Sequence, residues 1–213
     1  RILSTLSLLG YVVQDAISGN YKISLRILNL GSMILEEQEV IDVAKPYLVE
    51  ASEKTNQTIH LVAREENEII YIDKIEGKST TIRMQSYVGK KLPLHSTALG
   101  KIFLSEMSDQ EFDSFWKGAA HEKFTPATIT GRSKLLKELE KVKVNGFACD
   151  DEEQEEGLKC FAAPVRDRSG VVVNAISVSS PKFKLTEAKE KSFVKIICQA
   201  ALDISRDLGY KGE

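Results

Sequence analysis

The chain has 213 residues, of which 42% are apolar and 28% charged, and its formal net charge is −2. Such a length suits one large domain or a domain with a small appendage, and the near-neutral balance excludes a wholly basic protein that coats nucleic acid. Three cysteines without CxxC spacing argue against a disulfide framework or structural zinc, and the absence of a signal peptide or long apolar run points to the cytosol and not to a membrane.

Arg1-Ile-Leu-Ser-Thr-Leu-Ser-Leu-Leu-Gly10 has apolar residues at 2, 3, 6 and 9 and a glycine at the expected stop, so it reads as a helix. The chain opens at Arg1, without Met and inside this pattern, so further residues are expected upstream. Tyr11-Val-Val and Tyr21-Lys-Ile, separated by Asp15-Ala-Ile-Ser-Gly-Asn20, give a hairpin signal. Helix then hairpin is how a winged helix-turn-helix ends, although a plain α+β edge has the same order. Leu25 to Leu35 keeps a helical apolar stripe on more than one face, as a connecting helix would if it also met a second subunit. The next helix is expected to carry Pro46 in its first turn, where a missing N–H is harmless.

From Thr58 the period changes. Thr58 to Ala63, Ile69 to Ile75 and Thr80 to Ser86 read as antiparallel strands. Leu92-Pro-Leu-His-Ser-Thr-Ala-Leu-Gly-Lys-Ile-Phe-Leu104 reads as a strand end turning into a helix. Short side chains from Ser96 to Leu99 leave the first amides accessible, and with the helix dipole these make a site for a small carboxylate. An ordinary helix capped by Ser96 or Thr97 is the plainer alternative. Ser108-Asp-Gln-Glu111 is a capping box, and Ser133 to Val144 is a helix stopped near Asn145-Gly146. Strands at Phe147 to Asp150, Leu158 to Val165 and Val171 to Ser179 follow, then a helix from Thr186 to Leu208. The order implies an α+β domain with one antiparallel sheet and flanking helices.

The last two strands flank Asp167-Arg-Ser-Gly170. A four-residue loop sets Arg166 opposite Val171, Cys160 opposite Ser177 and Leu158 opposite Ser179. Period two then puts Cys160, Ala162, Ala175, Ser177 and Ser179 on one face, and the bulkier Phe161, Val165, Ile176 and Val178 on the other. The small face is either a ligand floor or a seat for a closely packed helix. The acidic run from Asp150 to Glu156 reads as a solvated loop, except that Asp150, at a strand end, is placed to accept hydrogen bonds from ligand hydroxyls. Cys160, His95 and Asp150 have the residue types of a hydrolase triad or a zinc site. Nothing marks the cysteine as activated, so no catalytic residue, metal or cofactor is expected.

Leu9-Gly-Tyr-Val12, Tyr21-Lys-Ile-Ser-Leu25, Ile70-Tyr-Ile-Asp-Lys-Ile75, the segment Gly89 to Lys101, Asp150-Asp-Glu-Glu153 and Gly157-Leu-Lys-Cys160 together resemble the IclR family of bacterial transcription regulators. The run from Asp150 to Cys160 looks like the subgroup that regulates 2-keto-3-deoxygluconate and related sugar-acid catabolism. The resemblance implies the end of a winged helix-turn-helix over 1–24, a linker helix over 25–40 and a GAF-like effector domain over 41–213. It implies a DNA-binding regulator, in the sense of a repressor, that assembles as homodimers or dimers of dimers and whose linker helix resets the DNA-binding heads. A sensor module without DNA binding is the alternative. The effector carboxylate would meet the amides of Ala98 and Leu99, with polar contacts from Asp150, Cys160, Ser177 and Ser179 and apolar walls from Met84, Leu92 and Leu158. His95 is taken as a structural or ligand-contacting residue of the same site. Arg1 and the wing residues Ser18, Gly19 and Asn20 are the candidates for operator DNA, where the wing would touch phosphates.

Overall fold

The computed structural model describes residues 1–36, 39–78 and 86–212, and divides into two compact units, Arg1–Glu39 and Val40–Glu213. In the first unit α1 (Ile2–Leu8) ends on Gly10, whose φ of +76° lets the Tyr11 N–H turn back to the Leu6 carbonyl at 2.9 Å. Strands β1 (Val12–Gln14) and β2 (Tyr21–Ile23) pair antiparallel, Val12 opposite Ile23. Their connection is an Asx turn, since Asp15 Oδ1 accepts from the Ile17 and Ser18 amides and from the Ser18 hydroxyl. Helix α2 (Arg26–Glu36) follows and leaves Leu28, Met33 and Ile34 exposed.

Helix α3 (Glu39–Thr55) supplies the start of the second unit from Val40 onward. Pro46 lies in the middle of this helix and not in its first turn. The buried stripe Val40, Ala44, Leu48 and Ala51 runs past it without a break, and Pro46 itself is exposed. The carbonyl of Asp42 that loses its helical donor therefore lies on the wet side, where water can satisfy it.

Strands β3 (Thr58–Glu65), β4 (Glu68–Ile75), β5 (Lys91–Pro93), β6 (Ala148–Asp151), β7 (Leu158–Arg166) and β8 (Val172–Pro181) form one antiparallel sheet in the order β5-β4-β3-β8-β7-β6. The strand expected over Thr80 to Ser86 lies, but for Ser86, outside the described residues. Helices α4 (Ala98–Ser105), α5 (Asp109–Gly118) and α6 (Arg132–Asn145) build a core against one face through Ile102, Phe103, Phe112, Phe115, Leu135 and Leu139. The capping box at Ser108 and Glu111 is formed, and Gly146 closes α6 with φ +74°. Helix α7 (Glu187–Asp207) lies along β7 and β8 with Phe193, Ile197, Ala201 and Ile204 buried, which places the bulky strand residues Phe161, Ile176 and Val178 on its side.

The β7–β8 register differs from the sequence expectation. Cys160 pairs with Ser179 and Ala162 with Ser177, while Leu158 faces Pro181 and Arg166 faces Val172, because the loop is one residue longer and a bulge sits between Val165 and Arg166. The slip over most of the hairpin is two residues. Strand side chains alternate with period two, so the same residues share each face as before.

Candidate functional site

Two rows of side chains cross the sheet on the α4 side. One runs Asp150, Cys160, Ser179, Thr58 through β6, β7, β8 and β3; the next runs Ala148, Ala162, Ser177, His60. Small groups in β7 and β8 leave space above them, and that space is a cavity of about 120 Å³ lined by both serines, Cys160, Asp150 and the first turn of α4. In that turn Thr97 is the N-cap: its hydroxyl accepts the Gly100 N–H at 2.9 Å and its carbonyl the Lys101 N–H at 3.0 Å. The N–H groups of Ala98 and Leu99 have no acceptor among the described residues, and both residues line the cavity. Two such amides at the positive end of a helix dipole are the geometry that would suit an anion.

The acidic run is not a solvated loop. Glu153 is buried against Lys101, which is 0% exposed on α4 and also donates to the Cys149 carbonyl at 2.9 Å. The Thr128 hydroxyl donates to the Glu153 carbonyl at 2.6 Å and that of Thr125 to the Glu152 carbonyl at 2.6 Å, while Lys182 pairs with Asp151 and Glu152. The Ser96 hydroxyl donates to Gln154 Oε1 at 2.6 Å, which ties the run to the entrance of α4. Only Glu155 and Glu156 are exposed. A lysine inside the apolar run Leu99-Gly-Lys-Ile-Phe-Leu104 was the available signal that a buried counter-charge had to exist.

Asp150 Oδ1 accepts the Glu153 amide at 2.7 Å and the Gln154 amide at 3.4 Å, and Oδ2 makes no hydrogen bond to the described residues. Burial pushes its carboxyl up to about 7, against the pull of the Glu153 amide and with the help of the Glu153 charge. Between about pH 4 and 7 the native chain therefore holds a proton that the unfolded chain has released, so its stability falls as pH rises through that window. Asp150→Asn keeps the amide-accepting oxygen and removes the titration. Its stability relative to the parent is expected to rise by up to about 1.4 kcal/mol per pH unit from pH 4 to 7 and then level off. Urea melts of both proteins across pH 4 to 8 check this, and a pH-independent difference would refute it.

Burial pushes the three thiols up as well: Cys149 to about 12, Cys198 to about 11, and Cys160 well above its ordinary value. The Cys160 thiol donates to the Ser179 hydroxyl at 3.1 Å.

Of the expected site residues, Ala98, Leu99, Leu92, Asp150, Leu158, Cys160, Ser177 and Ser179 meet around the cavity. Met84 lies outside the described residues. His95 does not join them. It is 1% exposed, its Nε2 is hydrogen-bonded to the Glu122 carbonyl at 2.9 Å, and its ring meets His121 edge-on at 5.5 Å. Desolvation there lowers its pKa, so it is a neutral packing residue, and the imagined grouping with Cys160 and Asp150 is not assembled. Arg1, Ser18, Gly19 and Asn20 are all exposed, and Gly19 takes a φ of +70° that holds the tight end of the turn. Sequence reasoning missed His60, Tyr71, Ser86, Lys90 and Gln154. The alternation of Thr58 and His60 with the buried Ile59 and Leu61 was a readable sign of a polar face on β3.

No described helix is long and apolar enough to cross a membrane, and no cluster of three His, Cys, Asp or Glu side chains among the described residues is arranged to hold a metal.

Residues 32–206 match the family described as the C-terminal domain of the bacterial transcriptional regulator IclR. The HTH-type transcriptional regulator KdgR of Escherichia coli (strain K12) is 39% identical over 210 residues, covering 99% of this chain and 80% of the relative. The HTH-type transcriptional repressor AllR of the same organism is 34% identical over 211 residues, covering 99% and 78%. The crystal structure of the Thermotoga maritima IclR superposes with a TM-score of 0.83 at 34% identity, over 97% of this chain and 83% of that one.

Proposed function

Since the chain belongs to the IclR family of bacterial transcriptional regulators, we propose that it is a cytoplasmic repressor of sugar-acid catabolism, released by a hydroxylated 2-keto acid similar to 2-keto-3-deoxygluconate. One observation carries the effector reading: the amides of Ala98 and Leu99, without an acceptor among the described residues, belong to the same cavity lining as a floor of Ser177, Ser179 and Cys160. The carboxylate sits on the amides. Hydroxyls of the ligand meet Ser177, Ser179 and Asp150, with Leu92 and Leu158 as apolar walls. Residues 1–24 are the end of the winged helix-turn-helix, 25–40 the linker helix and 41–213 the effector domain. Arg1 and Ser18, Gly19 and Asn20 meet operator DNA, and the exposed apolar side chains of α2 serve a homodimer or dimer of dimers. The sugar-acid assignment draws on the run from Asp150 to Cys160, and the repressor sign on the similarity to AllR.

Coupling of about 1–3 kcal/mol between effector and operator gives a change of about 5- to 150-fold in DNA affinity. A thermal-shift screen of sugar acids and 2-keto acids tests the reading, because a ligand of the native state stabilises it by RT ln(1 + [L]/Kd) and so raises the melting temperature. Ser177→Val with Ser179→Val is expected to abolish the shift and leave the unliganded melt nearly unchanged. Calorimetry that finds equal affinity in the double variant would remove the proposed floor.

A further inference from the structure

The geometry points to His60, held by Ser86 and flanked by Tyr71, as the residue that reads the hydroxylated tail of the effector and selects it against short or unhydroxylated keto acids. This rests on the effector site proposed above and adds a specificity determinant to it.

His60 closes the small-residue row: Ala148, Ala162 and Ser177 precede it across the sheet, and its ring is the first large group in that row. The ring is 2% exposed and lines the cavity. Its Nε2 is hydrogen-bonded to the Ser86 hydroxyl at 3.0 Å, and the Tyr71 ring packs against it at 4.8 Å between centroids. Its Nδ1 is buried and has no hydrogen-bond partner among the described residues, and the Tyr71 hydroxyl, on the same cavity, has none either. Such groups are satisfied by a polar ligand atom at little cost, and they penalise an apolar one that cannot bond them.

The state of the ring suits a hydroxyl. Burial, with the nearby Lys74 and Lys90 charges, lowers the His60 pKa to about 3, so the imidazole is neutral and offers one N–H and one lone pair. It has no charge with which to hold a second carboxylate. A hydroxyl, which both donates and accepts, is the matching partner.

Size agrees. At roughly 10–15 Å³ per water-sized group, the 120 Å³ of the cavity holds about ten non-hydrogen atoms. Asp150 on β6 and His60 on β3 are three strand steps apart, roughly 14 Å of sheet less the reach of the two side chains. Pyruvate cannot engage both ends, whereas a six-carbon chain can.

The test is calorimetry on the 213-residue chain with three probes: 2-keto-3-deoxygluconate, 2-ketohexanoate, which has the same chain length without hydroxyls, and pyruvate. The parent is expected to bind the hydroxylated probe about tenfold or more tighter than either of the others. His60→Phe keeps the ring volume against Tyr71. It is expected to erase that preference and leave 2-ketohexanoate within about threefold of the parent. If the variant keeps the preference, His60 does not read the tail and the effector site stands without it. If the parent binds none of the three probes, the effector site and this inference fall together. If His60→Phe weakens all probes equally or does not fold, Ser86→Ala decides. A severalfold drop for the hydroxylated probe alone supports the subsite, and an unchanged preference overturns it.

Discussion

Lys101→Met is expected to cost the fold about 3–5 kcal/mol, the usual consequence of removing one member of a buried ion pair. Lys101 is 0% exposed, and its ammonium is shared between Glu153 and the Cys149 carbonyl. Without it Glu153 would keep a buried carboxylate, one oxygen of which, Oε2, already has no partner among the described residues. Desolvation holds the Glu153 carboxyl above its ordinary range even with Lys101 present, so in the variant it would take up a proton. The loss is therefore expected to shrink at low pH. Replacing both members, Lys101→Met with Glu153→Leu, removes both desolvation costs and is expected to bring stability back to within about 1 kcal/mol of the parent. Urea unfolding of the three proteins checks this, and a single-variant loss below about 1 kcal/mol would mean that the pair is not buried as described.

Gly100→Ala has two opposing effects, and their sizes decide the outcome. Alanine in place of glycine inside a helix normally gains about 1 kcal/mol. At this position the added Cβ would stand 2.3 Å from the Leu94 carbonyl oxygen and 2.4 Å from the Leu94 Cα, both backbone atoms that cannot rotate away. Overpacking of that severity reaches about 3 kcal/mol or more, so a net loss is expected. The strain falls on the turn that presents the Ala98 and Leu99 amides, so carboxylate affinity is expected to fall at least about tenfold with it. Thermal melts and calorimetry on the same variant read both effects. A stabilised variant with unchanged affinity would contradict the close approach of α4 to the chain leaving β5.

The hairpin formed by β7 and β8 shows why much of the site was legible in the sequence. Its register was misjudged by two residues, yet the face that carries Cys160, Ser177 and Ser179 came out right, because an even slip preserves the side of every residue. The capped start of α4 was legible from local signals too: a proline, short side chains and a cap at Thr97, which tertiary context did not override. What stayed hidden depended on partners distant in sequence. The burial of Glu153 follows from Lys101, more than fifty residues away, and from Thr125 and Thr128 in a connecting loop. The position of His60 on the cavity follows from its pairing with Ser177 in β8. Of the two readings of His95 the structure carries the packing one, because proximity in sequence to the start of α4 says nothing of which way its ring turns. Pro46 was misplaced because a proline on an exposed helix face resembles one at a helix start.

The raised thiols have a practical consequence for measurement. At pH 8 a thiol with a pKa near 11 is ionised in only about one molecule in a thousand, and one near 12 in about one in ten thousand. The thiolate attacks the haloacetamide carbon and displaces the halide, so alkylation of the native chain is slowed by the raised pKa values and speeded by opening events that return a sulfur to water. Cys149 and Cys160 sit on neighbouring strands, and Cys198 sits on α7. Their labelling rates, read by mass spectrometry, are three native clocks: two time the fraying of the sheet edge by β6 and β7, and the third times the lifting of the long helix.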